Sequence, residues 1–237
     1  KQKTAYEIRP RDWSSDVCSS DLAHGNDLSK KLQAAGFTAL TNRSDLVTQA
    51  SEFRVGTDLQ AVVVFGGDGT ILRAAELARG TTAPIIGVNL GKVGFLAEIS
   101  NPYLHAIIDA IFTKKLATEP RLTIAYKIFR GKTVIASGWA LNEIVVERSE
   151  TSMLELFVQI DNRPLSRWGC DAVICATPTG STAYAFSAGG PVVWPEVDAM
   201  IVLPLAAHAL FSDPMVVSPN STVVIDIESE KADRKST

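Results

Sequence analysis

Residues 60–79 read QAVVVFGGDGTILRAAELAR and combine three patterns in a fixed order. The first six residues are an apolar, β-branched run, which is typical of a buried strand. The glycine-rich turn GGDGT follows at 66–70, and the remainder has the apolar spacing of a helix. Glycines let the backbone approach a bulky anion, and a helix N-terminus offers unpaired N–H groups and partial positive charge. The stretch therefore predicts a strand, a phosphate-binding loop and a helix.

Asp68 is the side chain of this loop best suited to chemistry. Its carboxylate would repel a phosphate unless it binds a metal ion or removes a proton, so the loop predicts phosphoryl transfer. We expect Gly66, Gly67, Gly69 and Thr70 to surround the phosphate. The same residues allow an alternative, a tight turn in which Asp68 is the N-cap of the helix.

A second polar segment, TPTGSTAY at 177–184, follows the strand-like run AVICA at 172–176. The hydroxyls of this segment belong to Thr179, Ser181 and Thr182, and its aromatic ring to Tyr184. Gly180 is expected to permit close approach. Hydroxyls can bind polar groups of a ligand, and a tyrosine ring can stack on a base or ribose. A Ser/Thr-rich helix cap is the alternative.

A third element, Asn142-Glu143, lies in the β-like run LNEIVVE at 141–147. An Asn amide presents a donor and an acceptor side by side, which suits the edge of a base, and a carboxylate can accept hydrogen bonds from ribose hydroxyls. A solvated strand edge would also explain this pair.

Together these three segments resemble the NAD kinase family, whose signature is a GGDG loop, an Asn-Glu pair and a TPTGSTAY segment in this order. The similarity continues through GVNLGKVGFL at 87–96, SAGGP at 187–191, Pro204 and His208. An eight-residue match such as 177–184 is far more specific than a glycine loop.

The resemblance implies transfer of the γ-phosphoryl group of ATP, or of polyphosphate, to the adenosine-ribose 2′-hydroxyl of NAD, which yields NADP. It implies Mg²⁺ or another divalent cation, a homo-oligomer (a dimer or tetramer) and a cytoplasmic location, and it makes Asp68 the proton acceptor. The residues that it assigns to the nucleotides are Gly66, Gly67, Gly69, Thr70, Arg73, Asn142, Glu143, Asp171, Thr179, Ser181, Thr182, Ala183, Tyr184 and Ser187. It assigns no residue to a metal ion.

The periodicity predicts two domains. Between 26 and 115 helical and strand patterns alternate, with helices at 27–35, 45–53, 71–79 and from 102 on, and strands at 37–40, 60–65 and 84–90. This alternation predicts a Rossmann-like parallel α/β phosphate-donor domain over 23–115. From 121 the period becomes two: strand-like runs at 122–129 and 133–139 are joined by Gly131, and a run at 154–160 turns at Asp161-Asn162 into another at 164–167. This pattern predicts a β-rich, β-sandwich-like domain over 116–237. The resemblance implies that this domain binds NAD and that it is truncated at its C-terminus. We expect both nucleotides in the cleft between the domains.

Apolar residues in the first 22 positions recur with neither the strand period of two nor the helix period of 3.6, and we expect this segment to be disordered. Back-translation of 1–8 and 12–22 fits the two constant parts of a common sequencing adapter, with Arg9 and Pro10 in its variable index. We therefore predict that 1–22 is a non-native leader.

Composition excludes several other classes. A net charge of −3 gives no electrostatic footprint for nucleic acid, and no apolar stretch is long enough to span a membrane. Cys170 and Cys175 have no histidine nearby in sequence, which argues against zinc. Two rivals remain: a lipid kinase of the diacylglycerol or sphingosine type, which shares the GGDGT loop, and an inactive fragment that binds NAD without making NADP.

Overall fold

The computed structural model describes residues 27–28, 30–31, 33–34, 61–89, 96, 99–100, 106, 109–110, 113, 115–148, 153–209 and 211–228. These residues fall into two compact units, divided between Glu119 and Pro120. The predicted leader at 1–22, the strand at 37–40 and the helix at 45–53 lie outside the described residues. The domain limits at 22/23 and 115/116 stay predictions.

The first unit contains a parallel sheet and a helix that follows its first strand. Its elements are β1 (Val62–Phe65), α1 (Asp68–Ala78), β2 (Ile85–Asn89) and β3 (Ile99–Ser100). The strand order is β1-β2-β3, and both pairings are parallel. The predicted parallel α/β architecture is confirmed. The strand predicted at 84–90 is one residue shorter at each end.

Both faces of this sheet carry apolar clusters, as a parallel sheet requires. On one face Val64 packs with Ile71 and Ala74 of α1, and on the other Ile86 and Val88 form a second cluster. Helix α1 packs against the sheet through apolar side chains that recur with the 3.6-residue period of a helix. Its buried residues are Ile71, Ala74, Ala75 and Ala78.

Helix α1 begins three residues earlier than the apolar pattern predicts. The N-cap is Gly67, whose carbonyl accepts hydrogen bonds from the N–H groups of Thr70 (3.0 Å) and Ile71 (3.3 Å). The last part of the GGDGT turn is therefore helical, and apolar spacing cannot show this because the residues involved are polar or lack a side chain. The helix ends at Ala78, and Gly80 follows with a φ of +80°.

The second unit is built from antiparallel sheets. Its strands are β4 (Ile124–Arg130), β5 (Thr133–Ala140), β6 (Glu143–Glu147), β7 (Leu154–Ile160), β8 (Arg163–Cys170), β9 (Ala172–Ala176), β10 (Met200–Leu205), β11 (Met215–Val217) and β12 (Val223–Ile227). A 3₁₀ turn (Thr179–Thr182) and the short helix α2 (Tyr184–Ser187) lie between β9 and β10. The sheets have the orders β11-β10-β9-β6 and β12-β7-β8, and β4 and β5 form a separate hairpin. The predicted β-rich architecture is confirmed.

The four-stranded and three-stranded sheets share one apolar core. Leu156 and Trp168 of the three-stranded sheet belong to the same cluster as Val173 and Val202 of the four-stranded sheet. On its other face the four-stranded sheet packs against α2 through Ala185. Strand β9 is consequently buried along its whole length, which explains why its sequence is a continuous apolar run.

The turn predicted at Asp161-Asn162 joins β7 to β8. Asp161 and Asn162 have φ values of 51° and 62°, the left-handed conformation that a two-residue hairpin loop requires. Strand β8 runs to Cys170, three residues beyond the predicted end at Arg167, because it pairs with β7 as far as Leu154. The side chains of Trp168 and Cys170 are buried in the core, and the intervening Gly169 hides the alternation in the sequence.

Candidate functional site

The glycine loop begins where β1 ends. The Gly66 N–H donates to the carbonyl of Val88 on β2 at 3.2 Å, and the φ of Gly66 is +146°. A Cβ atom built on Gly66 would lie 2.7 Å from Oγ1 of Thr70, so the turn has no room for a side chain there. At Gly67 the same construction meets no atom of the described residues within 4 Å. The described part of the chain thus leaves open space beside Gly67, at the carboxyl end of a parallel strand, where ligands bind in this class of sheet.

Asp68 is the first residue of α1. Its Oδ1 accepts a hydrogen bond from the Leu96 N–H at 3.0 Å, a contact that spans 28 residues of sequence. The N-cap is Gly67, and no side chain caps the helix. The alternative in which Asp68 is the N-cap is therefore wrong. Asp68 is half-buried and lies in the first turn of α1, where a negative charge is stabilised.

The other predicted residues of the first unit follow along α1. Gly69 and Thr70 are half-buried in the first turn, next to Asp68. Arg73 lies in the second turn and is exposed. In a helix that began at 71, Arg73 would lie in the first turn. Because α1 begins at Asp68, Arg73 lies one turn further from the loop.

The Asn142-Glu143 pair adjoins the TPTGSTAY segment. Leu141 and Asn142 form a bend between β5 and β6, and Glu143 opens β6 opposite Ala176 of β9. The N–H of Thr177 donates to the Asn142 carbonyl at 2.8 Å, and the Thr177 hydroxyl donates to the Leu141 carbonyl at 2.5 Å. Strand β6 is at the edge of its sheet, as the solvated-edge alternative supposes, but the side chains of Asn142 and Glu143 are half-buried.

Gly180 lies directly against this bend. Its N–H donates to the Thr177 hydroxyl at 3.0 Å, and a Cβ atom at Gly180 would overlap the backbone of Asn142. The glycine predicted to permit close approach therefore does so, and the group that approaches is the protein's own main chain.

The Asn142 side chain carries an unusual acceptor. Its Oδ1 atom is buried, and it has no hydrogen-bond partner among the residues described. A buried carbonyl oxygen without a partner is costly, and a bound ligand that supplies a donor would remove this cost. This atom is the clearest indication of a binding site in the second unit.

The hydroxyls of the TPTGSTAY segment are largely engaged within the protein. Ser181 is fully buried, and its Oγ donates to the Val193 carbonyl (3.1 Å) and accepts from the Val193 N–H (2.9 Å). The Thr182 hydroxyl donates to the Thr179 carbonyl at 3.4 Å. Neither Pro178 nor Ala183, the N-caps of the 3₁₀ turn and α2, makes a side-chain capping bond. The Thr177 hydroxyl, by contrast, accepts from the N–H of Gly180 inside the 3₁₀ turn, as a capping hydroxyl does, so the helix-cap alternative stays open.

The end of the segment is more open. Ala183 and Tyr184 are half-buried, and Ser187 is exposed. Trp194, next to the residue that Ser181 holds, is 70% exposed. This part of the second unit therefore presents side chains that a ligand can reach.

Asp171 lies apart from the other predicted residues of this unit. It precedes β9, whereas Thr177 follows the same five-residue strand. At the usual rise of a strand, the two ends of this segment are about 20 Å apart. Asp171 forms an ion pair with Arg148, in which Nε and Oδ1 are 3.3 Å apart. The structure therefore brings together 142–143 and 177–184 and leaves Asp171 at the opposite end of β9.

Three contacts of these sites were not predicted. They are the Leu96 N–H on Asp68, the Thr177 hydroxyl between Leu141 and Gly180, and the Arg148 partner of Asp171. Only Thr177 had a sequence signal, since a threonine at the end of a wholly apolar strand needs partners for its hydroxyl.

The described ranges contain neither a cluster of metal ligands nor a membrane-spanning helix. Those residues contain no group of three or more His, Cys, Asp or Glu side chains that could hold a metal ion. Within the same ranges, no helix is long and apolar enough to cross a bilayer.

Two family models match the chain. One, described as the ATP-NAD kinase N-terminal domain, matches residues 16–116, and the other, the ATP-NAD kinase C-terminal domain, matches residues 141–235. The chain belongs to the NAD kinase family. The first match begins inside 1–22, and the leader interpretation of that segment stays a prediction.

Individual NAD kinases support this assignment. The chain is 48% identical over 194 residues to the NAD kinase of Thermobifida fusca, a match that covers 80% of this chain and 59% of that protein. It thus spans about three-fifths of the length of the curated relatives it matches. The comparisons give no support to the lipid-kinase alternative.

Solved structures of NAD kinases have the same fold. The NAD kinase of Archaeoglobus fulgidus, solved in complex with ATP, aligns with a TM-score of 0.65 and 31% identity over 86% of this chain and 77% of that one. Yeast NADH kinase, solved with NADH, aligns with a TM-score of 0.77 and 21% identity over 95% of this chain and 78% of that one. Because the yeast enzyme is only 21% identical to this chain, its match supports the fold and not the activity.

Proposed function

We propose that this protein phosphorylates the adenosine-ribose 2′-hydroxyl of NAD to give NADP, with ATP as the phosphoryl donor. The observation that carries the proposal is the position of Asp68 in a member of the NAD kinase family. Its carboxylate stands at the start of α1, oriented by the Leu96 N–H, on a loop open beside Gly67.

In this proposal Asp68 orients the ribose hydroxyl and accepts its proton. A sugar hydroxyl is a weak nucleophile, and a positioned general base contributes about 10²–10⁴-fold to such a reaction. The transition state of phosphoryl transfer is loose, so alignment contributes at least as much as basicity. The N–H groups at the start of α1 and the backbone of Gly66, Gly67 and Gly69 bind the phosphates.

The second unit binds NAD. The buried Oδ1 of Asn142 accepts a hydrogen bond from a donor on the dinucleotide, and Glu143 accepts bonds from ribose hydroxyls. Tyr184 is half-buried and stacks on a base or ribose. Thr179, Thr182, Ala183 and Ser187 complete this surface. Since Ser181 is engaged with Val193, it supports the surface from inside, and Asp171 and Arg73 stay predictions.

A divalent cation fits the residues present. Mg²⁺ is commonly held by one or two carboxylates together with substrate phosphates, and Asp68 supplies one such carboxylate on the phosphate-binding loop. The cation would neutralise charge on the transferred phosphoryl group. The described residues hold no cluster of ligands that would bind a metal ion before the nucleotide does.

Other parts of the proposal have less to support them. Polyphosphate stays an alternative donor, because a backbone anion site does not require an adenosine group. A homo-oligomeric state, a cytoplasmic location, the absence of nucleic-acid and membrane partners and a nucleotide cleft between the domains stay predictions. An inactive fragment that binds NAD is the second candidate, since the chain spans only about three-fifths of its curated relatives.

The test is a direct assay of the chain with Mg²⁺, NAD and either ATP or polyphosphate, with NADP measured by a dehydrogenase that accepts only NADP. We expect NADP to form. The variant Asp68→Asn keeps the shape of the side chain, and we expect turnover to fall about 10²-fold or more while the Kd for NAD stays within about threefold.

Asp109→Asn is the matched control, because Asp109 is an exposed carboxylate on a helical segment of the same unit. It should leave turnover unchanged. Turnover of Asp68→Asn close to that of the unaltered chain would remove Asp68 from the mechanism. NAD binding without any NADP formation would favour the inactive fragment.

A further inference from the structure

Thr177 is the buried polar residue that the proposed function does not yet use. It follows the last residue of β9, and its side chain is fully buried. A buried hydroxyl needs hydrogen-bond partners, and a threonine can donate one bond and accept two. The partners that it takes connect the two sequence motifs of the second unit.

The hydroxyl of Thr177 holds two backbone segments together. It donates to the Leu141 carbonyl at 2.5 Å, and it accepts from the Gly180 N–H at 3.0 Å. The backbone N–H of Thr177 adds a third bond, to the Asn142 carbonyl at 2.8 Å. Thr177 therefore bonds to the carbonyls of both residues of the bend, Leu141 and Asn142.

These bonds act on the residue with the unpartnered acceptor. The main chain of Asn142 is held on one side by Thr177 and limited on another by Gly180, whose close approach leaves no room for a Cβ atom. With its main chain fixed, the Asn142 amide projects from a defined position, and its buried Oδ1 is oriented before any ligand arrives. Such preorganisation improves affinity because less order has to be created on binding.

We infer that Thr177 is a positioning residue for NAD, whose hydroxyl fixes the Leu141-Asn142 bend so that the Asn142 amide is presented to the dinucleotide. The inference rests on the proposed function, because it takes NAD as the ligand of Asn142. The hydroxyl of Ser181, by comparison, is hydrogen-bonded to the backbone of Val193.

The first experiment compares Thr177→Val with Thr177→Ser in the whole chain. Valine has the shape of threonine without the hydroxyl, whereas serine keeps the hydroxyl. We expect Thr177→Val to raise the Kd and the KM for NAD about tenfold, the effect of one lost hydrogen bond, with little change in kcat or in the KM for ATP. Thr177→Ser should stay within about twofold of the unaltered chain. If Thr177→Val does not fold, Thr177→Ala carries the same expectation.

A double-mutant cycle with Asn142→Ala separates positioning from general destabilisation. If Thr177 acts through Asn142, Thr177→Val should weaken NAD binding by less than about twofold once Asn142 is alanine. Val158→Ala, which removes buried methyl groups from the core of the same unit, is the stability control. It should lower the melting temperature with no change in the Kd for NAD.

The outcomes distinguish the two proposals. If the unaltered chain neither binds NAD nor forms NADP, the proposed function fails, and the positioning role fails with it. If the unaltered chain binds NAD but Thr177→Val binds it equally well, or if the losses from Thr177→Val and Asn142→Ala are additive, only the positioning role is wrong.

Discussion

At the scale of single residues, the two adjacent glycines of the GGDGT loop have different requirements. Gly66 has a φ of +146°, and a side chain there would meet Thr70, whereas Gly67 has a φ of −90° and open space around it. The fold therefore requires a glycine at position 66 and not at position 67. The space beside Gly67 is what a bound phosphate needs, so Gly66 permits the turn and Gly67 permits a ligand to approach it.

This difference predicts losses of different size for two alanine variants. Gly66→Ala should lower the free energy of unfolding by about 1–3 kcal/mol, because its backbone conformation is unfavourable for any L side chain. Gly67→Ala should lower it less, by about 0.5–1 kcal/mol, because alanine is a poorer N-cap than glycine. Urea unfolding followed by circular dichroism measures both. Equal losses would show that the backbone at Gly66 is not strained by a Cβ atom.

At the scale of elements, the hairpin of β7 and β8 depends on the conformation of its two turn residues. Asp161 and Asn162 both have positive φ values. Asp161 also accepts hydrogen bonds from the Thr222 N–H (2.8 Å) and the Ser221 hydroxyl (3.0 Å), which connect the turn to the segment that enters β12. The turn therefore sets the positions of all three strands of its sheet.

Asn162 is the more informative position to change, because the side-chain bonds of the turn belong to Asp161. Asn162→Val should lower the free energy of unfolding by about 1–2 kcal/mol, since β-branched residues are disfavoured in the left-handed region. Asn162→Gly, which tolerates that region, should leave it unchanged or slightly higher. Chemical denaturation of the two variants, each compared with the unaltered chain, checks this. A valine variant as stable as the glycine variant would contradict it.

The sequence was a good guide where one pattern dominates an element. The bounds of β7 and β9 are those expected from the apolar runs at 154–160 and 172–176, and the turn at 161–162 follows from residue types that tolerate positive φ. The start of α1 was missed because Asp68, Gly69 and Thr70 are polar or lack a side chain, and the end of β8 was missed because Gly169 interrupts the alternation of side chains.

The site was predictable as motifs and not as contacts. Asn142 and Thr177 are 35 positions apart, and they meet because β6 pairs with β9 in a register that sequence periodicity does not specify. The separation of Asp171 from Thr177 has the same origin. They are close in sequence, and the extended strand between them carries them to opposite ends.

At the scale of the whole molecule, two buried thiols make stability depend on pH. Burial raises the pKa of Cys175 to about 12, and burial together with the charge of Asp171 raises the pKa of Cys170 to about 11. In the unfolded chain a thiol has a pKa of about 8.5. Both groups therefore stabilise the fold fully below that pH, and this contribution is lost as the pH rises towards the pKa values of the folded state.

We expect the free energy of unfolding to fall between pH 8.5 and 10.5 by up to about 1.4 kcal/mol per pH unit for each thiol. Cys175→Ala removes one titrating group, so its slope should be smaller by about that amount. Urea unfolding at a series of pH values measures both slopes. Identical slopes would show that Cys175 titrates alike in the folded and unfolded chains.

Strand β9 has hydrogen-bonded neighbours on both sides and apolar layers on both faces. Amides in such a strand exchange with solvent only when the surrounding structure opens as a whole. Many proteins draw their ligand-binding segments from regions that open easily, whereas the bend at Asn142 is bonded to Thr177, the residue that follows this strand. Local fraying elsewhere in the unit should therefore leave the geometry around Asn142 intact.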